Sequence, residues 1–394
     1  MDRPHHNTRS TSGGLEVCGR GRAAPSTRGR GHATPSALGR GRASPAARGR
    51  GRANPAGRGR GSAVAEVFDD TVETENNANL ADPAADPTTE IISNSGAPTE
   101  VRRRFLHADQ IVPPSTNPIT GVRSKDVVID PRTGLSARIY SPKTTNPTHT
   151  KLPLLIYFHG GGFCIETAFS PTYHNYINSL AAETHAVIVS VDYRRAPEYP
   201  LPIAYDDSWT AIKWAASHCK RGGDEVWLND CVDFGRVFFA GDSAGANIAH
   251  NMVGRVGLEG LDGARLVGIV LVHPYFWGKE PIGKEGDNIM GKAFAENLWL
   301  SICPSSSGSD DPLMNPVKDP SFSKLGCEKV LVCVAEKDLL RDRGWYYKQE
   351  LEKSGWGGVV EVMEAGGEDH VFHLFNPTCE NAVAMLKRVA AFMN

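Results

Sequence analysis

Long apolar runs are what this chain most plainly lacks. None reaches the ~18–20 consecutive apolar residues that a membrane-spanning helix needs. The N-terminus also has no apolar core of the kind a secretory signal is built around. The eight cysteines (positions 18, 164, 219, 231, 303, 327, 333 and 379) form no C-x-x-C pair and no spacing typical of a zinc site. That pattern favours free, mostly buried thiols in a reducing compartment over a disulfide or metal framework. Net charge is small too, at −2, but it averages two unlike parts. Residues 1–62 hold thirteen arginines, no lysine and two acids, Asp2 and Glu16, whereas the remainder has 30 basic against 43 acidic residues. The basic character belongs to a tail and says nothing about the body. These absences point to a soluble intracellular protein with no membrane partner. The expected compartment is the cytoplasm, or the plastid or nucleus if the tail is an address.

The first hundred residues also lack the apolar side chains from which a core is made. From Gly19 a ten-residue unit recurs (GRGRAAPSTR, GRGHATPSAL, GRGRASPAAR, GRGRANPAGR) in which hardly anything apolar beyond alanine occurs. Such a segment cannot offset the backbone entropy of folding, and residues 1–100 are expected to be disordered. Three readings of the tail stand side by side. Arg-Gly tracts bind single-stranded nucleic acid through charge and guanidinium stacking. An Arg-, Ala- and Ser-rich, acid-poor N-terminus is also the composition of an organelle transit peptide, although regular Pro and Gly spoil an amphipathic helix. The third is an expanded low-complexity tail with no specific partner. Residues 63–100 then turn acidic, with no Lys or Arg, as a linker.

From about Val101 to the end, the pattern is that of one continuous domain. Val127–Ile129 and Leu135–Tyr140 read as short strands joined by the turn Asp130-Pro131-Arg132-Thr133-Gly134. Pro153–Phe158 and Ala186–Val191 are nearly unbroken apolar runs, as central strands covered on both faces require. Helical patterns fall near Tyr173–Ala182 and Ala204–Ser217, the latter turning Trp209, Ile212, Trp214 and Ala215 inward. Further strands are expected up to Asp242 and at Leu266–Val272, Lys329–Val334 and Val359–Met363. Further helices follow Ser243 and lie near Ala293–Ile302, Trp345–Lys353 and Asn381–Phe392. Strands alternating with helices predict an α/β fold, a mostly parallel sheet with helices on both faces. Chemistry in such a sheet belongs at the carboxyl ends of the strands.

Three features fall at those ends. Gly241-Asp242-Ser243-Ala244-Gly245 stands between an apolar strand and a helical run, the setting in which G-x-S-x-G forms a strained elbow that exposes the Ser243 hydroxyl. His159-Gly160-Gly161-Gly162-Phe163 follows PLLIYF directly. Two N–H groups of that glycine run, with the N–H of Ala244, suit an oxyanion hole, and the sequence does not say which two. Asp338 follows KVLVCV, with Glu336 and Asp342 as rivals; Asp342 is expected a turn into the next helix, favouring its N-terminus. His370, with His373 as its rival, lies between the last strand and the last helix. For His174, His185, His218, His250 and His273 a structural role is expected. The order Ser243, Asp338, His370 is that of α/β-hydrolases.

HGGGF, GDSAG, Asp338 and HVF together resemble the hormone-sensitive-lipase-like branch of the α/β-hydrolases, and more closely the plant carboxylesterases. Val191–Glu198 (VDYRRAPE) and His273–Lys279 (HPYFWGK) support the likeness, which covers roughly 101–394. Arg195 departs from it, standing where such proteins usually carry leucine. The resemblance implies an α/β-hydrolase catalytic domain at 101–394, with a small cap built from the segment before the first strand and the insertion around 276–310. It implies hydrolysis of small carboxylic esters by Ser243 as nucleophile, His370 as base and Asp338 as its orienting acid, with no metal and no organic cofactor. It also leaves two other activities open. The family includes a dehydratase of hydroxylated isoflavanones and lyases of acylated sugars that reuse this site. It further includes a gibberellin receptor that has lost the catalytic histidine, whereas His370 is present here.

Overall fold

In the computed structural model, residues 110–143 and 151–394 are described. The tail and acidic linker expected over 1–100 lie outside them. Eight strands form one sheet in the order β1-β2-β4-β3-β5-β6-β7-β8. In sequence order these are β1 Arg123–Asp130, β2 Leu135–Ser141, β3 Leu152–Phe158, β4 Val187–Asp192, β5 Val232–Asp242, β6 Leu266–Val272, β7 Lys329–Ala335 and β8 Val359–Ala365. β1 and β2 pair antiparallel across the expected hairpin and β2 runs antiparallel to β4. From β4 through β3 to β8 every pairing is parallel.

The helices are α1 Pro171–Thr184, α2 Ile203–Ser217, α3 Val226–Cys231, α4 Ala244–Glu259, α5 Ile289–Ile302, α6 Arg341–Lys353, α7 Phe372–Phe375 and α8 Glu380–Met393. The period-2 alternation of a strand explains the two-sided core. Leu154, Ile156 and Phe158 of β3 join Val187, Val189 and Val191 of β4 on one face, under Trp209 and Ile212 of α2, Ile248 and Val253 of α4, and Tyr347 and Leu351 of α6. Leu155 and Tyr157 point the other way, against Tyr173, Ile177 and Leu180 of α1, with Met385, Val389 and Phe392 of α8 on the same side. Because both faces are covered, these strands read as continuous apolar runs. Trp214 is only partly buried at the margin of the first core.

Helix starts follow local chemistry. Pro171 occupies the first turn of α1, where a missing N–H costs nothing. The side chain of Asn288 accepts the amide of Gly291 at 2.8 Å and starts α5 at Ile289, earlier than the expected Ala293. The first turn of α5 exposes Ile289 and Met290, so it carries no inward-facing period for the sequence to reveal. α6 likewise begins at Arg341 rather than Trp345, which puts Asp342 in its first turn, as expected for an acid at a helix N-terminus. The short α3, capped by Glu225, has no counterpart in the sequence reading. No described helix is long and apolar enough to cross a membrane, and the seven described cysteines are all free.

Candidate active site

The site is assembled where β3, β5, β6, β7 and β8 end. β5 runs into α4 with Ser243 as the single residue between them, at φ 51° and ψ −117°. That backbone conformation is strained for a residue with a side chain and persists because its surroundings fix it. The Ser243 amide donates to the Val272 carbonyl at 2.9 Å, and its carbonyl accepts from Asn247 and Tyr275. A Cβ at Gly241 would run into the backbone of Gly245, and one at Gly245 into the carbonyl oxygen of Phe158. The two glycines of the motif are therefore required by close approach of chain on either side of the serine.

The raised hydroxyl meets an imidazole. Ser243 Oγ lies 3.0 Å from His370 Nε2, and His370 Nδ1 lies 2.8 Å from Asp338 Oδ2. The Asp338 side chain is 2% exposed and that of His370 21%, so the relay runs from a buried carboxylate outward to the cleft. Burial alone would raise the Asp338 carboxyl, but His370 and the Leu340 amide, which donates to Oδ1 at 2.9 Å, bring it below its ordinary value. Burial alone would lower His370, but the Asp338 carboxylate carries it above the ordinary histidine value. An imidazolium formed here is stabilised by its neighbour.

Of the rivals to these residues, Glu336 accepts the Gly367 amide at 2.7 Å, and the adjacent Lys337 amide donates to the Glu368 carbonyl at 2.9 Å, tying the acid-bearing turn to the histidine loop. Asp342 accepts the amide of Lys284 at 2.8 Å. His373 is buried, with neither ring nitrogen bonded, its ring edge-on to Tyr176 at 4.8 Å.

His273 is closer to the chemistry than a sequence search for partners of the serine could indicate. Its Nδ1 accepts the amide of Val371 at 2.8 Å, and its ring centroid lies 5.8 Å from that of His370. It braces the residue after His370, and burial lowers its pKa to about 4, so it stays neutral. The one available signal was its position directly after the apolar strand β6. His273, Asp338 and His370 each bring a possible ligand atom within 4.8 Å of the others, the one such group among the described residues. Hydrogen bonds engage Asp338, both ring nitrogens of His370 and Nδ1 of His273, whose Nε2 is buried without a partner.

The glycine loop after β3 lies beside the serine. Gly161 and Gly162 have φ of 92° and 59°, a region that favours glycine. The amide of Gly160 is taken by the hydroxyl of Tyr173 at 2.7 Å. Above the loop passes α5, and a Cβ at Gly162 would lie 3.3 Å from Leu298 Cδ2. A Cβ at Gly291, in the first turn of α5, would lie 2.8 Å from Leu339 Cδ2, the residue after Asp338. The helix thus spans from the acid side of the cleft to the glycine side. Behind it, a buried pair of Arg343 (Nε) with Glu285 at 2.7 Å ties the turn before α5 to α6. Arg195 donates to the Glu166 carbonyl at 2.6 Å, which gives this departure from the resemblance a place in the loop beyond the glycines.

Comparison with known proteins shows the family and the fold. The family model described as alpha/beta hydrolase fold matches residues 155–374. Probable carboxylesterase 13 of Arabidopsis thaliana is 50% identical over 302 residues, covering 73% of this chain and 92% of that protein. A 2-hydroxyisoflavanone dehydratase of Glycyrrhiza echinata is 43% identical over 298 residues, covering 74% and 90%. Among solved structures, the hyperthermophilic esterase of Pyrobaculum calidifontis superposes with a TM-score of 0.59 at 26% identity, covering 77% of this chain and 95% of that one. With a strained serine at the strand–helix elbow and relatives of this similarity over nearly their whole length, the chain belongs to the carboxylesterase family of the α/β-hydrolase fold.

Proposed function

We propose that this protein is a serine carboxylesterase that hydrolyses small carboxylic esters through an acyl-enzyme. The observation that carries the reading is the continuous Asp338–His370–Ser243 hydrogen-bond relay, at 2.8 and 3.0 Å, ending on a hydroxyl at the elbow. Ser243 Oγ attacks the ester carbonyl carbon as its proton passes to His370 Nε2. The carbonyl π pair moves onto oxygen, and Asp338 stabilises the imidazolium. The N–H of Ala244 with those of Gly161 and Gly162 receives the oxyanion, the Gly160 amide being engaged by Tyr173. Collapse expels the alcohol, which takes the proton from His370. Water, deprotonated by the same nitrogen, then releases the acid and restores the serine. No step needs a metal or organic cofactor.

Ser243→Ala is expected to abolish p-nitrophenyl acetate hydrolysis without altering the circular dichroism or unfolding temperature; undiminished turnover would refute the reading. A second reading has one specific support, the 43% identity to a protein named as a dehydratase. In that case His370 would abstract a proton during elimination of water from a hydroxylated plant metabolite. Product analysis separates the two, acid plus alcohol in one case and an unsaturated product in the other. For the tail, salt-sensitive binding of single-stranded RNA by a peptide of residues 1–62 would mark a nucleic-acid arm, and salt-independent absence of binding a tail without that partner.

A further inference from the structure

We infer that Tyr173 and Tyr193 are positioning residues for the oxyanion hole, gripping the peptide units around Gly160 so that the next two amides face the cleft, with Asp242 as the anchor of Tyr173. The inference rests on the esterase reading and adds to it a set of side chains that touch neither substrate nor the Ser243–His370–Asp338 relay.

The argument follows from peptide planarity. In a trans peptide unit the carbonyl and the following N–H point in opposite directions, so fixing one aims the other. The unit between His159 and Gly160 is held at both ends: Tyr193 Oη donates to the His159 carbonyl at 2.8 Å, and the Gly160 amide donates to Tyr173 Oη at 2.7 Å. The next unit is held by its carbonyl, since Gly160 O accepts from His159 Nδ1 at 2.9 Å and takes the longer, 3.3 Å share of the single Tyr193 hydroxyl proton. Its N–H, that of Gly161, is therefore turned away from both rings. In the third unit the Gly161 carbonyl accepts the amides of Cys164 and Ile165 at 2.9 and 3.0 Å, which turns the Gly162 N–H away from that bend. Three successive units are thus fixed on the protein side, and the two amides left over belong to the residues proposed as donors.

Tyr193 is held in place by its ring, stacked on His159 at 4.3 Å and 10°. Tyr173 is held through its proton. Its oxygen accepts from Gly160, so its single hydrogen goes to Asp242 Oδ2 at 2.8 Å, while Tyr157 donates to Asp242 Oδ1 at 2.7 Å. Asp242 precedes the nucleophile in sequence and is 1% exposed. A single carboxylate therefore links the serine elbow of β5 to the glycine loop of β3. Both of its oxygens act as acceptors only while it is ionised. Burial pushes its pKa up to about 6, against the two tyrosine hydroxyls and the charge of His370. The groups facing it are Tyr157 from β3, Tyr173 and Tyr176 from α1, Tyr193 beyond β4 and His370 from the loop after β8.

The test compares Tyr173→Phe with Tyr157→Phe. Each deletes one hydroxyl from the same carboxylate, but only the first releases Gly160. Steady-state hydrolysis of p-nitrophenyl butyrate is read together with inhibition by a trifluoromethyl ketone, whose serine adduct carries an oxyanion. For Tyr173→Phe, kcat is expected to fall about tenfold, less than the loss of a whole donor, with KM held within about twofold and the ketone weakened by the same factor as kcat/KM. Tyr157→Phe is expected to stay within about threefold of the parent on both measures. Asp242→Asn should reproduce the Tyr173→Phe loss and remove one ionisation from the acid limb of the kcat profile. Equal losses in the two tyrosine variants, or unchanged ketone affinity in Tyr173→Phe, would overturn the inference. If Tyr173→Phe does not fold, Tyr193→Phe decides by the same ketone criterion, weakened affinity supporting the clamp and unchanged affinity overturning it. Failure of the esterase reading looks different, since the parent protein itself would then show no Ser243-dependent turnover.

Discussion

Ser243, Asp338 and His370 lie far apart in the chain and come within hydrogen-bonding distance because each follows the carboxyl end of a strand of one sheet, Ser243 directly after β5, Asp338 in the turn after β7 and His370 in the loop after β8. Two predictions belong at this scale. Asp338→Asn keeps the shape of the side chain but not its charge. It is expected to lower kcat by roughly 10⁴-fold with little change in unfolding temperature, checked by single-turnover hydrolysis beside thermal melts. Because His370 must be neutral to accept the serine proton and its pKa lies above the ordinary histidine value, kcat/KM should fall as the pH drops through that raised value. In Asp338→Asn the limb should move to lower pH. These three residues were legible in the sequence through motif and order. His273, Tyr173 and Tyr193 were not, because their work is done through contacts to Val371, Gly160 and His159 that no local pattern announces. The glycine run is legible only as a candidate source of amide donors, and the engagement of Gly160 by Tyr173 is announced by no local pattern.

Among the elements, α5 lies over the glycine loop that the esterase reading places beside the ester. Leu298 hangs over Gly162, and Gly291 seats the other end of the helix on Leu339. Leu298→Ala is expected to raise the ratio of octanoate to acetate hydrolysis and Leu298→Trp to lower it, measured as relative kcat/KM on p-nitrophenyl esters. A ratio unmoved by either would place the chain-length boundary elsewhere. The turn before α5 depends on the buried Arg343–Glu285 pair, which is 4% and 1% exposed at the side chains. Glu285→Ala leaves the Arg343 guanidinium buried without a carboxylate, facing the Gly278 and Glu280 carbonyls and the Trp277 ring. The expected loss is about 3–5 kcal/mol, read as a lowered urea midpoint. The extent of α5 was read too short from the sequence because its first turn faces outward, while the central strands were read almost to the residue because burial on both faces makes them uniformly apolar.

Over the whole molecule, buried histidines set the response to acid. Burial lowers His159 to about 3 and His250 and His273 to about 4, below an ordinary value of 6.5. The unfolded chain therefore takes up protons that the folded one refuses. Stability present above pH 6.5 is lost as the pH falls toward 4, at about 1.4 kcal/mol per pH unit for each group. Asp242, raised to about 6, runs the other way, its contribution being present at low pH and lost as the pH rises through 6. Burial lowers His174 and His373 in the same direction, and these five histidines outweigh the two raised carboxylates, Asp242 and Asp192. The unfolding temperature should therefore decline steadily between pH 6 and 4, and His250→Gln should flatten that decline. A melting temperature constant across the window would count against neutral burial of these rings.

The sequence by itself determined the α/β fold class and the order of the strands and longer helices, and it pointed to the three residues that the fold brings into hydrogen-bonding distance, because hydrophobic period and glycine placement are local properties of a chain. Tertiary structure alone decided which glycine amide is already engaged, which tyrosines hold the loop and what lies above it. Those are matters of distance between segments far apart in the chain, and only packing of the helices against the sheet brings the segments together.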